Sequence, residues 1–184
     1  GWYFQFENEY YPDTDDTAAV LICNYLVHAR DGKRRAEAME RGTKWLLSMQ
    51  SRNGGWGAFD RDNDRHVFEK VPFADHNALL DPPTVDVGAR ILEFLAKIGY
   101  DPAHPQIARG IDFLEKNQEA DGSWYGRWGI NYIYGTWGAM RGLTTLGLPR
   151  TRPSLQRGAQ WLKSVQLPDG GWGESCATYD DPTL

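Results

Sequence analysis

Apolar residues recur along the chain at helical spacing. Trp45, Leu46 and Met49, then Phe113 and Leu114, then Trp161, Leu162 and Val165 each fall on one face of a stretch whose other positions are largely polar. Between these amphipathic stretches lie runs that are apolar over more of their circumference, such as TAAVLICNYL and VGARILEFLAKIG. Their spacing predicts helices over roughly Asp16–Ala29, Thr84–Lys97 and Tyr134–Leu146, set further inside the fold. Gly32, Gly99 and Gly147 read as the stops of these helices. Pro102, Pro105 and Pro153 lie in or near the entries to the helices that follow. No strand-like alternation competes with this reading.

The amphipathic stretches are copies of one template. RGTKWLLSMQSRNGGWG starts at Arg41, RGIDFLEKNQEADGSWYG at Arg109 and RGAQWLKSVQLPDGGWG at Arg157. Each runs Arg-Gly, two residues, Trp or Phe, Leu, three residues, Gln, three residues, Gly, one residue, Trp. The segment up to each Gln reads as a helix, ended by the following Asn-Gly or Asp-Gly. The expected content is three hairpins of an inner and then an outer helix. The fold class is therefore all-α: an α/α toroid, half of an (α/α)6 barrel, in a single partial domain spanning 1–184. In that topology the loop after each Gly-x-Trp leads back to the amino end of the next inner helix. YYPDTDD, LLDPPTVD and RWGINYIYG all occupy such positions and should meet at one mouth of the barrel.

Composition narrows the function. A chain of 184 residues, 41% hydrophobic with a formal net charge of −5, can build a substantial core but carries no basic stripe suited to nucleic acid. KRR at 33–35 reads as the solvated start of a helix. Cys23 and Cys176 stand far apart in no metal-ligand spacing, which favours reduced thiols in a cytosolic setting. No long apolar run supplies a membrane anchor. Eight tryptophans and nine tyrosines exceed ordinary usage and call for an explanation. The opening on Gly1 and the polar close TYDDPTL suggest a piece of a longer protein, with the rest missing at both ends.

Asp13, Asp15 and Asp16 crowd into DTDD just before an inner helix. One aspartate is explained as a helix cap, and Asp16 is the expected one. Three are not, because neighbouring carboxylates raise one another's proton affinity from an ordinary pKa of roughly 3.9. The cluster is then a Brønsted acid or a divalent-metal site. On spacing alone capping, acid and metal stand level.

GWYFQFENEYYPDTDDTA, the three Arg-Gly…Gln…Gly-x-Trp repeats, NGGWGAFDRDN, PFADHNALLDPPTVDV, DGSWYGRWGINYIYGT and PDGGWGESCATYDDP together resemble the squalene–hopene cyclases. The resemblance runs co-linearly over essentially the whole chain. Its repeats look like that family's QW motifs, and DTDD looks like its DxDD acid motif. The resemblance implies protonation of a terminal alkene of squalene followed by a cascade of cationic ring closures to hopene or hopanol, with no cofactor and no metal. By the same analogy Asp15 donates the proton, while Asp13 and Asp16 hydrogen-bond within the cluster. Phe4, Phe59, Phe73 and Trp128 line the cavity as cation-stabilising faces, each worth about 0.5–2 kcal/mol. Tyr134 lies near the acid and relays replacement protons; Asp86, Arg90 and Tyr11 stand behind. It further implies peripheral contact with the cytoplasmic side of a bacterial membrane through regions outside this stretch. A homodimer is among the assemblies it allows.

Asp86 and Arg90 sit at i, i+4 and read as a pair. Some relatives carry His at the Arg90 position; Arg cannot relay a proton, so its expected role is to hold Asp86 and bias DTDD electrostatically. His76 reads as a polar supporting residue. Trp56, Trp124 and Trp172 read as outer-layer staples, the Gln amide stacking on the indole and satisfying a helix end. Other readings are another DxDD terpene cyclase, an (α/α)6 glycoside hydrolase and a non-enzymatic helical repeat. The hydrolase needs two carboxylates roughly 5–9.5 Å apart, which a tight triplet does not provide. The repeat protein gives DTDD no task.

Overall fold

Six helices arranged as three hairpins appear among the described residues of the computed structural model, which are 1–27, 31–63 and 80–181. They are α1 (Thr14–Leu26), α2 (Gly32–Ser48), α3 (Val85–Lys97), α4 (Pro105–Lys116), α5 (Tyr132–Thr145) and α6 (Pro153–Ser164). α1, α3 and α5 pack side by side as an inner row, and α2, α4 and α6 each lie outside their own partner. This is the expected arc of a toroid. α3, in the middle of the row, is buried from Val85 through Ala89 and again from Ile91 through Leu95, matching its apolar circumference. A two-stranded ribbon precedes the helices: β1 (Trp2–Tyr3) pairs antiparallel with β2 (Pro12–Asp13). Strands this short show no alternation, so periodicity could not reveal them.

The ends of the helices correct several expectations. α1 starts at Thr14, two residues early, because Asp13 rather than Asp16 is its cap. It ends at Leu26, where Val27 turns extended; the predicted end at Ala29 lies outside the described residues. Gly32 does not close α1. It opens α2 behind the cap Asp31, whose carboxylate accepts from the Arg34 amide. Lys33 and Arg34 are exposed as expected of that first turn, whereas Arg35 is half-buried and donates to the Asn24 and Tyr25 carbonyls at 2.6 and 2.9 Å. Gly99 and Gly147 do follow α3 and α5 with the positive φ that such stops require. The outer helices stop at Ser48, Lys116 and Ser164, before the Gln and well before the Asn-Gly or Asp-Gly. Gly54 and Gly122, at φ 95° and 98°, shape the turn that follows instead.

The repeat positions form one recurring joint. The indole N–H of Trp56 donates to the Leu46 carbonyl at 2.8 Å, and that of Trp124 to Leu114 at 2.7 Å, so the Trp serves the carboxyl end of its own outer helix. Gln50 does something else. Its Nε2 donates to the Gly54 and Gln106 carbonyls at 2.9 and 2.8 Å, and its Oε1 accepts from Arg109 at 2.7 Å. Gln118 repeats this with Gly122, Ser154 and Arg157. The Gln of one repeat therefore grips the Arg of the next. Gly110 and Gly158 leave room for the preceding indole, since a Cβ on Gly158 would stand 2.8 Å from the Trp124 ring. This corrects the staple expectation: the indole and not the Gln meets the helix end, and the Gln joins repeats. Trp172 bonds the Leu162 carbonyl in the same way but is about half exposed.

Candidate active site

DTDD is anchored before it is charged. The Thr14 amide donates to the Ala58 carbonyl at 2.8 Å and its hydroxyl to the Gly57 carbonyl at 2.7 Å, stitching the start of α1 to the loop after Trp56. On the far side of that loop, the Thr84 amide donates to the Trp56 carbonyl at 3.0 Å. One post-Trp loop thus ties together the amino ends of α1 and α3.

The three aspartates take three different positions. Asp13 is buried, and its Oδ1 accepts the amides of Asp15 and Asp16 at 2.6 and 2.9 Å. Burial raises its proton affinity, opposed by those amide bonds. Asp15 Oδ2 stands 2.8 Å from Arg90 Nη1. Burial pushes its carboxyl up to about 6, against the pull of Arg90 and with help from Asp13, Asp86 and Asp16. Asp16 keeps a buried Oδ2 with no hydrogen bond among the described residues, so it neither caps the helix nor closes a side-chain network. The partner within reach of Asp15 is a cation, a poor setting for a bound metal ion. Of the alternatives that stood level in the sequence, capping falls to Asp13, and Asp15 is left with a raised carboxyl beside Arg90.

Arg90 does not hold Asp86. Its other nitrogen, Nη2, donates to the Tyr134 hydroxyl at 2.9 Å, so one guanidinium joins Asp15 of α1 to Tyr134 of α5. Burial raises the Tyr134 hydroxyl above its ordinary value, with Arg90 opposing. Asp86 is occupied elsewhere. Its Oδ1 accepts the Thr84 hydroxyl at 2.6 Å and the Val87 amide at 3.0 Å, and its Oδ2 accepts the Trp128 amide at 2.7 Å. The i, i+4 expectation fails because a buried carboxylate beside a helix start finds amide and hydroxyl donors, which frees the long Arg side chain to cross helices.

Tyr11, Phe59 and Trp128 form an aromatic row at the same mouth. The rings of Tyr11 and Phe59 lie 6.4 Å apart edge to face, and those of Phe59 and Trp128 likewise. A cavity of about 610 Å³ opens beside Trp128, lined also by Tyr125, Ile130 and Tyr179. Phe4 is 77% exposed, on the loop between β1 and β2, and none of these contacts reaches it. Phe73 and His76 lie outside the described residues.

Two further residues organise the mouth. Asp81 Oδ2 accepts the Phe59 and Asp60 amides at 2.5 and 3.3 Å and so fixes the backbone that carries the Phe59 ring. Burial raises its proton affinity, opposed by both bonds. Glu174, from the third repeat's loop, accepts the amides of Asn131, Tyr132 and Ile133 at 3.1, 2.9 and 2.8 Å. It caps α5, which has no cap of its own, and this explains why that helix starts at Tyr132. The signal for Asp81 was its place in DPPTVD. Glu174 gave none, because its target is about forty residues away.

Among solved structures, the type II terpene cyclase MstE from Scytonema in its apo form has a similar fold: TM-score 0.61 at 23% identity, covering 90% of this chain and 44% of that one. The squalene–hopene cyclase of Zymomonas mobilis subsp. mobilis is 49% identical over 183 residues, covering 97% of this chain and 28% of the relative. That of Schizosaccharomyces japonicus is 53% identical over 180 residues, covering 98% of this chain and 27% of the relative. The chain therefore spans little more than a quarter of the length of these curated relatives. Residues 1–184 match the squalene-hopene cyclase C-terminal domain, and the chain belongs to that family.

Proposed function

We propose that the complete protein cyclises squalene to hopene by protonating a terminal alkene at Asp15. The observation that carries this reading is the half-buried Asp15 carboxyl, pushed up to about 6 and held at 2.8 Å by Arg90 beside an aromatic row. An alkene is a very weak base, so its protonation needs an acid kept neutral near working pH and shielded from water. Asp15 transfers its proton to a terminal alkene carbon, the π pair forms the new C–H bond, and a cation is left on the neighbouring carbon. Arg90 stabilises the carboxylate that remains. Asp13 holds the first turn of α1, so the direction of the Asp15 side chain is set before substrate arrives. The Phe59 and Trp128 faces stabilise the advancing charge and offer no lone pair to trap it.

The substrate is wholly apolar and partitions into bilayers, which supports a peripheral position at the cytoplasmic face of a bacterial membrane. No helix among the described residues is long and apolar enough to cross a membrane, so the contact is assigned to other parts of the protein. The test is turnover of squalene by the complete protein, with Asp15→Asn alongside. Loss of cyclisation by at least about 100-fold in the variant supports the reading, and an Asp15→Asn protein that still forms hopene at the parental rate sinks it.

A further inference from the structure

The loop that carries Trp128 is gripped by a segment about fifty residues further along the chain. A short 3₁₀ turn, Cys176–Tyr179, follows Trp172 of the third repeat, and the Ser175 hydroxyl caps it by accepting the Ala177 amide at 3.2 Å. The Tyr179 hydroxyl stands 3.1 Å from the Gly129 carbonyl and 3.3 Å from the Gly126 carbonyl. A phenol has one proton to donate, so the two carbonyls share it in a three-centre bond. Together they bracket Arg127 and Trp128.

The turn that presents this phenol is itself well held. The Thr178 hydroxyl donates to the Ser175 carbonyl at 2.8 Å and accepts from Asn131 Nδ2 at 3.4 Å. Asn131 also gives its amide to Glu174, so the same segment that caps α5 carries the phenol. The Tyr179 ring meets Tyr125 edge to face at 5.8 Å, and Tyr125 meets Tyr132 in the same way at 5.9 Å.

The gripped loop needs such a hold. Residues 126–129 read Gly-Arg-Trp-Gly, and glycine on either side widens the backbone freedom of the pair between. Those glycines have a packing reason. A Cβ at Gly126 or Gly129 would fall 3.0 or 2.5 Å from Cδ1 of Tyr134, so the loop lies directly against that ring. Asp86 fixes the Trp128 amide, but that is one point about which a glycine-flanked segment can still turn. The Trp128 side chain is half exposed, so packing alone does not set its ring. The Tyr179 hydroxyl adds two further points of attachment, one on each side of Trp128.

We propose that Tyr179 is a positioning residue for the cyclisation: its hydroxyl sets the Trp128 ring at the edge of Phe59 and so decides how well that face meets the cation. The inference rests on Trp128 as a cation-stabilising face of a squalene cyclase. The attraction between a cation and a ring weakens as the cation leaves the ring face. A cation held less well at one stage of the cascade ends there: a neighbouring C–H bond gives its electron pair to a new C=C bond, and its proton passes to water. The product then carries fewer rings.

Tyr179→Phe in the complete protein removes one oxygen and keeps the ring that packs on Tyr125. With squalene, kcat should fall about three- to tenfold, KM should stay within about twofold, and products with fewer rings should rise. The melting temperature should stay within about 2 °C of the parent. In a Trp128→Ala background the same substitution should add little to either the rate or the product shift, because the ring that it positions is gone. An unchanged product spectrum in Tyr179→Phe, or an effect as large without the Trp128 ring as with it, overturns the proposal. Cyclisation surviving in Asp15→Asn would instead overturn the functional reading, and the role of Tyr179 with it.

Discussion

Arg90 Nη1 on α3 stands 2.8 Å from Asp15 Oδ2 at the start of α1, across 75 positions of sequence. The contact opposes the burial that pushes Asp15 up to about 6, so the two effects together decide the acid's strength. Activity that needs protonated Asp15 should be full at low pH and decline as pH rises through about 6. Stability follows the same sign: the raised folded pKa binds the proton more tightly than the unfolded chain, whose value is near 3.8. That contribution is present below pH 3.8 and lost as pH rises to about 6. Arg90→Gln removes the opposing cation, so the decline should move to higher pH while the maximal rate falls, because a weaker acid protonates an alkene more slowly. Rate–pH profiles of the two proteins check both.

Glu174 should matter to the distant Tyr134. Removing its carboxylate by Glu174→Ala strips three amides at the start of α5 of their acceptor and should cost about 1–3 kcal/mol. Burial raises the Glu174 carboxyl, but the amide bonds outweigh it, and the net folded pKa lies below the ordinary 4.5. Its contribution is therefore held above pH 4.5 and lost as pH falls through that lower value. Thermal melts against pH for Glu174→Ala and the parent should converge on the acid side.

Gln118 is assigned to the joint between repeats. Gln118→Ala releases the Gly122 and Ser154 carbonyls and the Arg157 guanidinium, for an expected loss of about 1–3 kcal/mol. The melting temperature should drop with the product spectrum unchanged. A changed product at unchanged stability would move Gln118 from scaffold to site.

Trp128 offers a test of cation stabilisation. Its amide is held by Asp86, so the ring can be altered while the backbone anchor stays. Trp128→Ala removes an interaction of about 0.5–2 kcal/mol, a rate loss of up to about thirtyfold, and should shift products towards less-cyclised ones. Trp128→Phe keeps a π face and should lie between, as read by chromatography of the products.

The helices were legible because their signals are local. Apolar spacing, Pro105 and Pro153 at helix starts, and Gly99 and Gly147 at stops act within a few residues, and the repeat showed inner and outer layers by its periodicity. The repeat template likewise marked Gln50, Trp56, Gln118 and Trp124 as structural, and the crowding of DTDD marked it as a candidate site. Which aspartate caps α1 was decided only in three dimensions. Asp13 became the cap because β2 and the Thr14–Ala58 contact set the backbone angle at which α1 begins. Arg90 turned from its helical neighbour Asp86 to Asp15 and Tyr134 because its long side chain spans helices and Asp86 had already found local donors. Glu174 stayed silent in the sequence for the same reason. Periodicity and capping are written along a chain, whereas the partner of a long charged side chain is fixed by whatever other elements bring within about 3 Å of it.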